Sequence, residues 1–383
     1  MTPAAELTAE FVDSVASITA EAWNSCSDSG NPFLEHAFFL ALEKSGCTTA
    51  DTGWQPYHLV ISDKQHDCVA AIMPLFIKGH SYGEYVFDHG WADAYERAGG
   101  RYYPKLQSAV PFTPVTGSRL LVRQGYDHLR TELLATARNA CDTLGTSSLH
   151  LTFLPAAEAL KAQEAGYLIR TDQQFHWHND GFTCFDDFLS ALSSRKRKQI
   201  KKERRRVQEQ KVTFRHVTGA AITETDWDCF FAFYLDTGNR KWGTPYLNRT
   251  FFSQVGQSMA ENILLIMCEC DGETVAGALN FIGNDTLYGR YWGCTDMFDS
   301  LHFEACYYQA MEYAIEHGIR HVEAGAQGPH KLARGYSPTK TYSAHWIPNP
   351  NFREAVASFL EAERHAVDAE IQDLGHHTPF RKA

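Results

Sequence analysis

Leu59–Tyr85 (LVISDKQHDCVAAIMPLFIKGHSYGEY) can be laid without a gap over Leu265–Tyr291 (LIMCECDGETVAGALNFIGNDTLYGRY), 206 positions further along the chain. Leu59, Val69, Ala70, Tyr82, Gly83 and Tyr85 meet identical residues, and most other apolar positions meet apolar ones. Each copy reads as strand, tight polar turn, strand, turn, and a third strand ending in Tyr-Gly-x-Tyr. A repeat of this kind predicts that the chain is two versions of one α/β domain.

Outward from the repeat, residues 1–50 read as helices broken at Asn31-Pro32. Tyr102–Arg119, with three prolines, reads as extended chain and turns. A helix over Asp127–Leu144, a strand at Ser148–Phe153, a helix stopped by Gly166 and a strand at Tyr167–Trp177 follow. The turn cluster His178-Asn179-Asp180-Gly181 places the boundary, giving domains 1–180 and 181–383. The second domain opens with a helix from Phe185 to Gln210, whose basic part spans 187–210. Helices near 225–236 and 249–261 precede the second copy. In Phe303–His317, apolar residues recur at helical spacing and Gly318 stops the run. Ile319–Glu323 is then a strand, and Phe352–Leu374 a terminal helix. Three meandering strands, a helix, and a fourth strand beside them make an antiparallel-to-parallel switch, which leaves an opening where strands diverge. The expected fold class is α/β (α+β), with mixed central sheets flanked by helices.

With 383 residues, 44% hydrophobic and 13% aromatic, the chain has material for two cores. No run approaches the roughly 18 apolar residues of a membrane span, and the N-terminus lacks the basic and apolar regions of a signal peptide. Ten cysteines lack metal-ligand or disulfide-framework spacing, so reduced thiols, no metal and a cytoplasmic location are expected. The net charge of −11 conceals an asymmetry: Arg195–Arg206 (RKRKQIKKERRR) carries nine bases and one acid. That density favours a polyanion, with Arg195, Lys198, Lys201, Lys202 and Arg205 as contacts to RNA phosphates or anionic lipid headgroups. The other reading is a rod neutralised by acids elsewhere in the chain.

The densest chemistry lies in Asp285–Tyr336. Strand alternation would put Tyr288, Arg290 and Trp292 on one face, with Tyr291 between them. A buried Arg290 requires an acid partner, for which Glu323 is placed, or a ligand anion. If it holds a ligand, Arg290→Ala or Lys331→Ala abolishes turnover while the melting temperature stays within a few degrees. Glu323, His302 and His330 are the candidate proton-transfer groups; Lys331 and Arg334 are candidate anion contacts. Glu304 sits where a helix dipole favours an acid, and is also a candidate substrate contact. In the first half, Glu84, Asp88 and Trp91 belong to an acidic-aromatic patch suited to a cationic amine. Glu84 occupies the position equivalent to Arg290, which hints that the halves have diverged in task.

Phe185–Val207, Ala276–Cys294, Leu301–Tyr313, Glu323–Tyr336 and His80–Thr116 together resemble the FemAB-like family of N-acyltransferases. The resemblance implies two tandem GNAT-like acyltransferase domains and transfer of an acyl or aminoacyl group to a small-molecule or peptide amine. It also implies acyl-CoA or aminoacyl-tRNA as co-substrate; in the Fem relatives the acceptor is a peptidoglycan precursor. The chain departs from acetyl-CoA-dependent relatives in one segment. Gly293-Cys-Thr-Asp-Met-Phe-Asp-Ser-Leu-His302 lacks the glycines that cradle pyrophosphate, and Asp296 and Asp299 would repel it. An aminoacyl-tRNA donor, an ordinary acyl-CoA enzyme with an atypical loop, and a non-catalytic module gripping a cell-wall precursor or anionic membrane all remain open at this point.

Overall fold

The first two strands of each copy pair as hairpins. In the second copy, Asp271 and Gly272 take φ of 51° and 85°, the two-residue turn whose twist matches that of paired strands. Both hairpins carry a register shift: the second strand has one extra residue, Ala70 opposite Ile61/Ser62 and Val275 opposite Cys268/Glu269. The copies then part. Pro74 in the first stands where the second has Asn280. Proline has no N–H to continue a ladder, so the first copy's second strand stops at Met73 while the other runs to Ile282. The expected third strand at Tyr82–Tyr85 does not form: Gly83 and Tyr85 both take left-handed φ (80° and 60°) and the segment is a turn.

The computed structural model describes residues 6–27, 30–241, 245–295, 298–325 and 328–381. The strands in chain order are β1 (Leu7–Val12), β2 (Trp54–Pro56), β3 (His58–Asp63), β4 (Cys68–Met73), β5 (Phe76–Lys78), β6 (Lys105–Ser108), β7 (Leu121–Val122), β8 (Leu149–Leu154), β9 (Leu168–His178), β10 (Thr213–Thr218), β11 (Ile263–Cys270), β12 (Glu273–Ile282), β13 (Thr286–Cys294), β14 (His321–Glu323) and β15 (Ser337–Trp346). The helices are α1 (Ala20–Asn24), α2 (His36–Lys44), α3 (His89–Arg97), α4 (Leu129–Leu144), α5 (Ala156–Glu164), α6 (Phe185–Ala191), α7 (Ser194–Glu209), α8 (Glu224–Lys241), α9 (Arg249–Ser258), α10 (Leu301–Phe303), α11 (Gln309–Glu316) and α12 (Pro350–His376). A π-helical turn, Glu304–Tyr308, joins α10 to α11. The helix expected from Phe185 to Gln210 is therefore two, because Leu192 is extended (ψ 154°) and fully buried between α6 and α7.

Two compact units result: residues 1–172 with 340–369, and residues 173–339 with 370–383. Residues 340–369 pack with the first unit although they follow the second in sequence, a return that a single cut near residue 180 does not describe. The first unit holds a sheet of order β1-β3-β4-β7 and the strand series β15-β8-β6-β5-β2. Its core packs α4 (Leu133, Leu134, Ala137) on β3, β4 and β8.

The second unit has the order β10-β11-β12-β13-β14-β9. β11, β12 and β13 are antiparallel, and β14 joins β13 in parallel after the intervening helix. One face of this sheet (Leu264, Ile266, Ala278, Leu287, Val322) buries Met311, Ala314 and Ile315 of α11 and Ile200 and Val207 of α7. On the other face α8 approaches closely: a Cβ on Gly293 would lie 2.1 Å from the Phe233 carbonyl oxygen. The architecture is thus mixed α/β, with central sheets flanked by helices.

Candidate functional site

Parallel pairing of β13 with β14 covers only Thr286–Tyr288 against His321–Glu323. Beyond Tyr288 the two strands diverge. At this point Leu279 opposes Tyr291 and Asn280 opposes Gly289, so Arg290 is the extra residue of a β-bulge. A bulge re-aims the side chains that follow it. Tyr288 lies opposite Phe281 and Trp292 opposite Ala278; three positions apart on β12, those partners face opposite sides. Strict alternation, which would keep Tyr288 and Trp292 on one face, therefore fails at Arg290.

The divergence opens a cavity of about 90 Å³ lined by Ala278, Leu279, Asn280, Gly289, Arg290, Tyr291, Trp292, His302, Cys306, Tyr307 and Ala324. Gly289 keeps one side low, since a Cβ there would come within 3.2 Å of Asn280 Oδ1 and 3.3 Å of the Glu323 carbonyl. The π-helical turn supplies Cys306 and Tyr307. A π turn adds one residue to a helical turn and is concentrated at functional sites. His302 packs between Trp292 and Tyr307, with ring centroids 5.6 and 5.4 Å away.

Arg290 is 2% exposed in its side chain; its Nη2 donates to Glu323 Oε2 at 2.8 Å and its Nη1 to the Gly289 carbonyl at 3.0 Å. His176 Nε2 stands 3.7 Å from Glu323 Oε1, and burial lowers the His176 pKa against the opposing pull of that carboxylate. Lys331 is buried and donates to the Gly325 carbonyl at 2.9 Å. Burial, reinforced by the charge of Arg290, pushes its amine down to about 8. His330 Nε2 meets the Tyr307 hydroxyl at 2.9 Å, and burial with two nearby cations lowers its pKa.

Two of the expected substrate contacts face elsewhere. Glu304 is buried against α7, where Arg204 approaches it at 2.9 Å. Arg334 is 4% exposed, with Nη2 donating to Glu203 Oε1 at 2.9 Å and its guanidinium stacked 3.4 Å from the Phe303 ring centroid. Cys306, Asn280 and His176 were not singled out by sequence. The signal for Asn280 was present: it is the residue that replaces Pro74 of the first copy.

The acidic-aromatic patch of the first unit is interior. Glu84 and Asp88 are 3% and 2% exposed, and Trp91 is buried with them. Lys105 Nζ donates to Glu84 Oε2 at 2.7 Å, to Ser81 Oγ at 2.8 Å and to Asp88 Oδ2. Lys78 lies 3.7 Å from Glu84 Oε1 and 3.6 Å from the Trp54 ring centroid; burial takes its amine down to about 7. Burial raises the Glu84 pKa, whereas at Asp88 burial is outweighed by Lys105 and the pKa falls. Buried carboxylates require such partners. The repeat position that holds Arg290 beside a cavity in the second unit thus holds a neutralised, packed acid in the first.

Along α7, Arg195, Lys198, Lys201, Lys202 and Arg205 are all exposed, while Ile200, Glu203 and Val207 face inward. Lys201 and Arg205 border an open groove of about 560 Å³ with Cys184, Asp186 and Leu189. Among the described residues leading to α10, Asp299 sits with its carboxylate 3.0 Å from Arg206, and Ser300 takes a left-handed φ of 67°. Asp296 lies outside the described residues, as do Ala326 and Gln327 of the loop after Glu323. No group of three or more metal-ligating side chains occurs among the described residues, and no helix among them is long and apolar enough to cross a membrane.

The FemAB-like family model, described as peptidoglycan biosynthesis/recognition, matches residues 14–382. No curated protein matches the chain. Among solved structures, FemX is 12% identical over 91% of this chain and 100% of its own, with a TM-score of 0.56. The C-terminal domain of a putative lysylphosphatidylglycerol synthetase from Agrobacterium fabrum is 9% identical over 92% and 98%, with a TM-score of 0.53. L-PGS from Bacillus licheniformis is 10% identical over 87% and 98%, with a TM-score of 0.52. At these identities the likeness is one of fold.

Proposed function

The chain belongs to the FemAB-like family, and on that premise we propose that it transfers an aminoacyl group from an RNA ester to an amine at the β13–β14 cavity. The two units are read as versions of one GNAT-like acyltransferase fold, of which the second keeps the site and the first has filled its own with Lys105, Glu84 and Asp88. The family's description directs the acceptor towards a peptidoglycan-precursor peptide.

The observation that carries the donor is the end of β13. Acyl-CoA needs backbone N–H groups at a helix start to hold pyrophosphate. Here the start of α10 presents Asp299, already paired with Arg206. The cationic stripe of α7 is instead suited to a phosphodiester backbone.

In the cavity, the amine nitrogen attacks the ester carbonyl carbon, forming C–N and breaking C–O. Arg290 faces the negative charge that develops on the carbonyl oxygen. His302 accepts the proton that the amine loses. Tyr307, oriented by His330, donates a proton to the departing ribose oxygen. Glu323 and Lys331 hold Arg290 and the loop in place. A cavity of about 90 Å³ would hold the reacting ends of the two substrates beside these groups.

The test is donor binding. Purified protein is titrated calorimetrically with charged and uncharged tRNA and with acetyl-CoA and a longer acyl-CoA, at two salt concentrations. Saturable, salt-weakened binding of charged tRNA, lost on reversing Lys198, Lys202 and Arg205 to Glu, is expected. Saturable CoA binding without RNA binding would overturn the donor, and binding of neither would favour a non-catalytic module.

A further inference from the structure

Two consecutive residues of α7, the buried Glu203 and the half-buried Arg204 at the edge of the groove, hold both ends of the π-helical turn that walls the cavity. Glu203 is buried; its Oε1 accepts from Arg334 Nη2 at 2.9 Å and from Gln199 at 3.0 Å, and its Oε2 accepts from the Tyr308 hydroxyl. The next residue, Arg204, reaches Glu304 at 2.9 Å and Glu312 at 2.7 Å. Glu304 is the first residue of the π-helical turn and Tyr308 the last. Between them lie Cys306 and Tyr307, two residues of the cavity wall. Through Arg334, Glu203 also holds the short helical turn Pro329–Arg334, which carries the His330 that contacts Tyr307.

A π turn and a regular α turn differ by one residue in register. Sliding between them would swing Cys306 and Tyr307 about 100° around the helix. An element that can slide between two discrete arrangements is what energetic coupling requires. Its termini are fixed by ion pairs and hydrogen bonds from two consecutive residues of one helix. The same helix presents Arg195, Lys198, Lys201, Lys202 and Arg205 on its outer side.

We propose that Glu203 and Arg204 are positioning residues that couple polyanion binding on the outer face of α7 to the shape of the cavity. The inference rests on reading that face as an RNA contact and goes beyond it: RNA is then an effector of the cavity as well as a donor carrier. An RNA without an aminoacyl group should already change the cavity.

Two thiols read the two ends of this device independently. Cys184 is exposed in the groove beside Lys201 and Arg205, so its alkylation reports occupancy. Cys306 lines the cavity, so its alkylation reports the wall. Iodoacetamide rates at both are followed by peptide mass spectrometry with and without uncharged tRNA, in the unmodified chain and in Glu203→Gln and Arg204→Lys. In the unmodified chain, RNA should slow Cys184 and alter the Cys306 rate about fivefold or more, the lower end of ordinary coupling. In both variants Cys184 should remain protected while the Cys306 ratio falls towards one. A merely structural role would change the Cys306 rate by the same factor with and without RNA and leave the ratio intact. Protection of Cys184 with an unmoved Cys306 in the unmodified chain would overturn the coupling and leave the RNA reading standing. An equal Cys306 response in all three proteins would mean direct shielding and would also overturn it. Absence of Cys184 protection in the unmodified chain would remove both.

Discussion

Replacing Arg290 by Ala leaves Glu323 as an uncompensated charge in the interior. The pair is 2.8 Å apart, with side chains 2% and 9% exposed. At an effective dielectric constant of about 20, charges at that distance attract by about 6 kcal/mol. Desolvation of the two ions offsets most of this, so the intact pair adds little compared with apolar residues of the same size. Breaking it is different, because one desolvation cost stays while the attraction goes; such losses run to about 3–5 kcal/mol. For a unit of this size each kcal/mol is worth roughly 2–4 °C, so Arg290→Ala should melt about 6–20 °C lower. Loss of turnover alone, with a nearly unchanged melting temperature, is the expectation from sequence that the buried pair corrects. The assay is urea unfolding of Arg290→Ala, of Glu323→Gln, and of Arg290→Met combined with Glu323→Gln. The double variant should recover most of the loss. A single-variant cost below about 1 kcal/mol, or strict additivity in the cycle, would refute the reasoning.

Two other outcomes follow from the same geometry. Lys331 has its pKa lowered to about 8 in the fold, against about 10.4 for a free lysine. Between these values the unfolded chain holds a proton that the folded chain has released, so stability should rise with pH across that window. Lys331→Met should flatten this rise; an identical pH profile in the variant would show that the amine is not perturbed. At Gly293, any side chain collides with the backbone of α8, so Gly293→Ala should cost about 1–3 kcal/mol by displacing that helix. Calorimetric melting at the unmodified temperature would show that α8 does not pack there.

The hairpins were legible because they are local: alternation, an Asp-Gly turn and apolar runs set them within a score of residues. The family resemblance was legible for the same reason, through contiguous blocks such as Ala276–Cys294. The bulge at Arg290 was not, since one extra residue in a strand leaves no mark on composition, and it re-aims the residues that line the cavity. The second strand of the first copy stops short at a single visible residue, Pro74, whose missing N–H outweighs the similarity around it. Glu84 and Asp88 looked like a surface patch because Lys105, which neutralises them, is 17 to 21 positions away. Glu304 and Arg334 looked like ligand contacts because Arg204 and Glu203, their partners, are 100 or more positions away. Charge in a sequence shows that a partner is needed, while only the fold says which one.

The return of residues 340–369 to the first unit also orders events during synthesis. β15 pairs with β8, and His345 meets His150 across 195 positions of chain. At about 5–20 residues per second, the ribosome needs roughly 10–40 s to make that interval. Throughout it the first unit waits with β8 lacking its β15 neighbour, while all of 173–339 is made and free to fold. The N-terminal unit therefore begins first yet is completed only after residues 173–339 have been made, and an exposed strand edge in a nascent chain is where a chaperone or a mispairing strand would act.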